Sequence, residues 1–495
     1  MFLNNILKYK FFNDSSSLIL SDIIKIVLTL ITGLITAKVL GPVALGVTAA
    51  CALIFRFGPL LNMGILAAMG QEVTKLLSNN KFDDADDILN ISLTGIIIIF
   101  LIASFVTIFF SLTNLSDINL IVGIFLNIIG LFSFQVYNIL EARAKFSFRI
   151  KTVAKSQIIC SVTNFIIIIS LIKSIGVYAV FLASLFSYVP SLIYLMIYKK
   201  EKISFKWNSQ KVSSLIRYGF SIYFGGSCIL LAMSLDRVFV LADVGIDNLG
   251  IYTATSSLAL IISFIPMKLA NFMYQYLRDA YVKKYSIQAL WKNLSLLVIL
   301  TIVLCIPIII IMNDIVIFLF NTYLESYVSG IELVKFFMLA VLSSILYHFN
   351  WSFLMAIDKK EYILYPQLLT LITALIIYFT IYLFYDATLK TYALAFFIIN
   401  LSSGFFILIS TLKLLKSQKS LDIMINVKIL SVIFIAALLI SFLPNFFDSD
   451  VDIFCNVVFV ILRACVCILF FMMTLFFTFK LKSFNEMSSF LNRET

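Results

Sequence analysis

Six cationic side chains fall inside otherwise apolar runs: Lys25, Arg56, Arg237, Lys268, Lys335 and Arg463. A charge in hydrocarbon is costly, so such residues face a wet cavity or a partner. Arg forks onto two oxygens of an anion, while Lys acts as a point charge. Anion capture is therefore the chemistry this set suits. Arg56 stands mid-run between Phe55 and Phe57, with Pro59 three residues on. Pro removes a helical hydrogen bond and permits a kink. Arg56 either anchors an anion beside that kink or pairs with a buried acid. Asp22, Lys25, Thr29, Thr32 and Thr36 recur at steps of three or four, which puts them on one helix face. That stripe lines a cavity or glues neighbouring helices. Lys25 also lies within snorkelling reach of the helix end, and Asp22 within pairing reach of Lys25.

A second stripe, Ser221, Gly225, Cys228, Ala232 and Asp236, has the same spacing. It reads equally as a packing seam. The adjacent Asp236-Arg237 is either an ionisable pair at a gate or an interfacial salt bridge. Lys268 follows Pro266 near a helix end, where snorkelling competes with ligand contact. His348 sits among Ser343, Ser344, Tyr347, Asn350 and Ser352. One His is too few for zinc, so no metal site is expected, and an interior hydrogen-bonded His competes with a titrating one.

The elements that position these residues follow from composition. Of 495 residues, 62% are hydrophobic and 13% charged, and the mean hydropathy is +1.06. Soluble domains carry about a quarter charged residues. The apolar runs are continuous rather than alternating, so they predict membrane-spanning helices and not a barrel. Helices are expected at 17–38, 43–66, 88–112, 118–140, 153–172, 175–198, 214–241, 248–274, 291–312, 333–357, 362–385, 391–412, 428–446 and 453–479. The fold class is thus all-α integral membrane, with about 14 spans of roughly 20 residues or more. Ile315–Tyr323 reads as a separate re-entrant or interfacial piece. The seven Cys lie almost entirely in apolar runs, as inert packing residues. The net charge of +11 is spread over helix ends, which argues against nucleic acid. No cleavable signal is expected, since Lys8 and Lys10 precede a first run of spanning length.

Basic residues favour the cytoplasmic side. With an inside N-terminus, the inside segments collect Arg143, Lys145, Arg149, Lys151, Lys199, Lys200, Lys206, Lys283, Lys284, Lys413 and Lys480, among others. The outside loops hold only Lys38, Lys173 and Lys390, with Asp243, Asp247, Asp314, Glu325 and Asp448. Both termini are expected to be cytoplasmic. The frame G-x-x-x-L-G-[VI] occurs at Gly41–Val47 and again at Gly245–Ile251. Leu140–Lys145 likewise pairs with Leu354–Lys359, and Phe148 with Tyr362. These matches place equivalent turns in two six-helix halves that enter the membrane in the same direction, a parallel repeat. The expected organisation is an N-terminal six-helix lobe at 1–198 and a C-terminal six-helix lobe at 199–412. Two additional helices and a cytoplasmic tail follow at 413–495.

Lys38–Val47, and Asp236–Val240 through Leu249–Tyr252, resemble the polysaccharide-transporter and O-antigen flippase family. It belongs to the multidrug/oligosaccharidyl-lipid/polysaccharide exporter superfamily, to which lipid II flippases are related. The topology of residues 5–415 fits it, and the two extra helices resemble the fourteen-helix layout of lipid II flippases, where they help form a groove for the lipid tail. The resemblance implies a two-lobed transporter working by alternating access. It implies an undecaprenyl-pyrophosphate-linked oligosaccharide, an O-antigen or capsule repeat unit, moved from the cytoplasmic to the periplasmic leaflet of a bacterial inner membrane. On that reading Arg56, Lys25, Asp22, Thr29, Thr32, Arg237, Asp236, Lys268 and His348 line the substrate cavity, and Asn127, Asn138 and Glu141 offer sugar-hydroxyl contacts. Other polysaccharide-assembly membrane proteins are expected partners besides the bilayer.

No cofactor is expected. The chain lacks a G-x-x-x-x-G-K-[ST] loop, so energy would come from a proton or sodium gradient, with Asp22, Asp236 or Glu72 as ion ligands. A multidrug or cation antiporter would need intramembrane acids in excess, and here cations are at least as frequent. An enzyme of the same pathway would need a large external catalytic loop. The longest, at 313–332, is short and lacks Arg and His.

Overall fold

The computed structural model describes residues 2–417, apart from 80, 115–116, 147–148, 198–203, 360 and 385–386. The expected helices at 428–446 and 453–479 lie outside the described residues. Among the described residues the chain is all-helical, with 11 helical stretches long and apolar enough to cross a membrane. That is one fewer than the twelve helices expected before residue 418. The difference arises at the start, where Leu20–Asn62 forms one 43-residue stretch. Within it, α1 (Phe2–Phe57) breaks at Gly41, whose φ of 71° and ψ of 176° are not helical. Gly tolerates this backbone and the following Pro42 cannot continue the hydrogen-bond ladder. The expected turn between the first two helices is therefore real, though narrow.

The described residues divide into two compact units, one up to Ala254 and one from Thr255 onward. In the first unit α1 is followed by a 3-10 turn, Gly58–Asn62, and then by α2 (Ile65–Ser78). The expected helix at 43–66 is thus broken just after Arg56, more sharply than a simple Pro kink. Met63 and Gly64 both take positive φ there. Next come α3 (Phe82–Asn114), α4 (Ile118–Phe146), α5 (Ile150–Ile175), α6 (Val177–Phe186) and α7 (Tyr188–Ile197). The expected helix at 175–198 divides at buried Ser187. Likewise, the one expected at 214–241 divides into α8 (Ser209–Ala232) and α9 (Leu235–Asp243). Helix α10 (Ile246–Leu260) crosses from the first unit into the second.

Apolar packing holds the first unit together. Ile65, Met69, Ile88, Ile96, Ile139 and Leu215 form one buried cluster among α2, α3, α4 and α8. The exposed side of α3 carries Leu101, Ile102, Phe105, Val106, Phe109 and Phe110, a face suited to lipid rather than water. Asp86 takes a 2.7 Å ion pair from Arg143, and Asp87 pairs with Lys206.

In the second unit a 3-10 turn, Ile261–Ser263, leads into α11 (Phe264–Val282). This break falls where the repeat places the Gly58–Asn62 break of the first unit. Helix α12 (Ile287–Thr322) runs unbroken through Pro307. That corrects the reading of Ile315–Tyr323 as a separate piece: Asn313 and Asp314 interrupt the apolar pattern without interrupting the backbone ladder. After a 3-10 turn at Glu325–Gly330 come α13 (Ile331–Ala356), α14 (Glu361–Phe384) and α15 (Leu389–Ser417). Helix α13 is the centre of this unit, buried along most of its length. Gly404 of α15 lets the two backbones approach, since a Cβ there would stand 2.9 Å from the Ser343 carbonyl oxygen.

Candidate functional site

Two polar assemblies stand out in the first unit. One is a pocket of about 360 Å³ among α1, α4, α5 and the α6–α7 junction. Lys25, Thr29 and Thr32 of the α1 stripe line it, as do Asn138 and Glu141 of α4. Helix α5 adds Gln157, Cys160, Ser161 and Asn164. Residues four and seven after Gln157 fall on its face of a helix, so the α5 contribution had a periodic signal that the cation-led reading passed over. The aromatic wall is Phe134, Tyr137 and Tyr188, with ring centroids 5.1 Å apart for Phe134–Tyr188 and 5.6 Å for Tyr137–Tyr188.

The carboxylate in this pocket is engaged. Glu141 Oε2 accepts from Lys145 Nζ at 3.0 Å, and its Oε1 accepts from Gln157 Nε2 at 2.6 Å. Gln157 Oε1 in turn accepts from Ser21 Oγ at 3.1 Å. The chain of bonds fixes α1 to α5 and α4, which suits buried polar groups. Lys25, an exposed side chain, is the remaining charge of the lining. Thr32 is buried and bonds back to the Leu28 carbonyl, so its hydroxyl serves its own helix. Asp22 is half-buried and not part of the lining. Asn127 points elsewhere too, donating to the Gly123 carbonyl at 2.8 Å.

The other assembly joins residues far apart in sequence. Asp236 of α9 is 2% exposed and accepts from the Tyr252 hydroxyl at 3.0 Å through Oδ2. Arg56 is close enough for its charge to act on Asp236. Each keeps a buried polar atom, Arg56 Nη1 and Asp236 Oδ1, that has no hydrogen-bond partner among the described residues. The structure thus brings the mid-run Arg and an acid into one neighbourhood without closing a tight pair. Arg237 lies half-buried beside them on α9. Tyr252 carried no signal of its own, because its role depends on the fold bringing α9 and α10 together.

Within the first unit the two turns of the repeated frame touch. A Cβ on Gly46 would stand 1.9 Å from the Ile246 carbonyl oxygen, and one on Gly250 1.9 Å from that of Pro42. The reciprocal pattern explains the glycines of the repeated frame: only hydrogen fits between the backbones.

The remaining candidates lie in the second unit. Lys268 sits over the Phe264 ring, 5.0 Å from its centroid and one turn away, a local cation–π contact. His348 is half-buried and packs edge-on to Tyr347 at 5.6 Å. The Tyr347 hydroxyl accepts from Gln367 Nε2 at 2.8 Å. Among the described residues no group of His, Cys, Asp and Glu is arranged to hold a metal.

This fold is that of the MOP-superfamily transporters. It is similar to an inward-facing multidrug-resistance MATE transporter, with a TM-score of 0.68 at 13% identity over 80% of this chain and 96% of that one. It is also similar to the lipid II flippase MurJ in an inward closed conformation, with a TM-score of 0.69 at 14% identity over 93% and 98%. A MOP-superfamily transporter from Pyrococcus furiosus aligns with a TM-score of 0.53 at 13% identity over 82% and 96%. No curated protein matches the sequence at a significant level. The polysaccharide biosynthesis protein family matches residues 35–328, more than half of the chain, and the chain belongs to that family. It is a multi-pass membrane protein of a polysaccharide-biosynthesis family.

Proposed function

We propose that this protein is a flippase for undecaprenyl-pyrophosphate-linked oligosaccharide, an O-antigen or capsule repeat unit. It carries the head group from the cytoplasmic to the periplasmic leaflet of a bacterial inner membrane by ion-coupled alternating access, with both termini cytoplasmic. A sugar–diphosphate head cannot cross hydrocarbon unaided. The observation that carries the reading is the pocket that Lys25 helps to line, a hydrophilic recess built on otherwise apolar helices in a polysaccharide-biosynthesis family member. The likeness in fold to a lipid II flippase, over nearly the whole chain, supports it. Arg56 is the diphosphate anchor, with Asp236 setting the electrostatic background in which it waits and taking part in ion coupling.

The test is reconstitution in liposomes, scoring translocated lipid-linked oligosaccharide with an externally added probe. Wild-type protein moves the lipid, and Arg56→Lys, which keeps charge but loses the fork, moves it at least about tenfold more slowly. Wild-type protein that moves no such lipid under any proton or sodium gradient, yet exports organic cations, would identify a drug antiporter instead.

A further inference from the structure

We propose that the pocket among α1, α4, α5 and the α6–α7 junction is a subsite for an acidic sugar, with Lys25 meeting its carboxylate. The inference rests on the flippase reading, which supplies the glycan. Its argument is the chemistry of the lining. A pyranose presents hydroxyls at its rim and C–H groups on its faces. Here Phe134, Tyr137 and Tyr188 form a continuous aromatic wall for such a face. Across from hydroxyls, the Asn138 and Asn164 amides line the pocket with no hydrogen-bond partner among the described residues. An amide offers two donors and an acceptor, which matches a hydroxyl that both donates and accepts. The volume of about 360 Å³ falls in the lower part of the range for small-molecule sites, about 300–1,000 Å³.

Charge then chooses among sugars. Glu141 is already neutralised by Lys145 and held by Gln157. The Lys25 ammonium is left as the lining's uncompensated charge, so a free metal cation is repelled and a carboxylate is drawn in. A neutral sugar would gain the wall and the amides but nothing from Lys25.

Cys160, in the lining itself, supplies a reporter. In full-length wild-type protein in detergent, its modification by a small water-soluble thiol reagent is followed by mass spectrometry. The probes are digalacturonate, maltose and inorganic pyrophosphate, none of which needs a lipid or a transport cycle. Digalacturonate should slow labelling about tenfold at ten times its dissociation constant and raise Tm. Maltose should do neither at the same concentration. In Lys25→Met both digalacturonate effects should shrink to the level of maltose, with the Tm of the unliganded protein unchanged.

Equal protection by maltose and digalacturonate overturns the charge assignment. Protection by pyrophosphate but not digalacturonate makes the pocket a diphosphate seat and overturns the proposal. Neither protection nor a Tm shift from any probe also overturns it. Each of these outcomes leaves the liposome result for the wild type standing, and a failed liposome assay with intact protection by digalacturonate would sink the flippase reading alone.

Discussion

The Lys25 pocket and the Arg56–Asp236 cluster use the same residue types in opposite surroundings. In the pocket the acid is tied off by Lys145, and Lys25 remains exposed. In the cluster the acid is 2% exposed, and buried polar atoms of Arg56 and Asp236 are left without hydrogen bonds among the described residues. An exposed charge costs little in the resting protein and is available to a ligand. A buried, half-satisfied one is costly wherever it sits, and it persists where the surrounding packing holds it. Substitutions in the cluster should therefore cost stability as well as transport, whereas substitutions in the pocket should cost transport with little change in stability.

The largest effect is expected at Asp236→Ala, which strands Arg56 and Tyr252 without the acid. It should lower unfolding free energy by about 3 kcal/mol, seen as a depressed Tm in detergent. A Tm equal to that of the wild type would place Asp236 in water and erase the contrast. Next is Gly250→Ala, whose new Cβ must push the Pro42 carbonyl from 1.9 Å. Such overpacking should cost about 2 kcal/mol, and Gly46→Ala should match it if the two turns are equivalent. Tyr252→Phe removes one hydrogen bond to Asp236 and should cost about 1 kcal/mol. The smallest shift in stability belongs to Glu141→Gln, because Lys145 is 45% exposed and its pair is screened. About 0.5 kcal/mol is expected there, so chemical denaturation should barely distinguish it from wild type. A collapse of stability in Glu141→Gln would show that the pocket, too, is structural.

The all-helical build, the turn at Gly41-Pro42 and a departure from regular helix beside Pro59 were legible in the sequence because each has a local cause. A run length, a residue that accepts positive φ and a missing N–H all act within one or two turns. The polar stripe of α1 was legible by its period, and it does line a pocket at Lys25, Thr29 and Thr32. Its other members differ, with Asp22 outside the lining and Thr36 buried. Periodicity gives a face but not where along the helix that face stays open. Spacing could not show that Asp236 bonds Tyr252 or feels Arg56, since those contacts join separate helices. Nor could it separate Lys268 over Phe264 from a cavity cation, because a neighbour one turn away competes with any ligand.

The most direct test of the contrast compares Lys25→Met with wild type in the same liposomes, following both Tm and translocation of lipid-linked oligosaccharide bearing an acidic sugar. The account predicts an unchanged Tm and translocation reduced about tenfold or more, the equivalent of roughly 1.4 kcal/mol in the transport barrier. Unimpaired translocation would contradict it, and would return Lys25 to the role of an interfacial lysine that reaches for water.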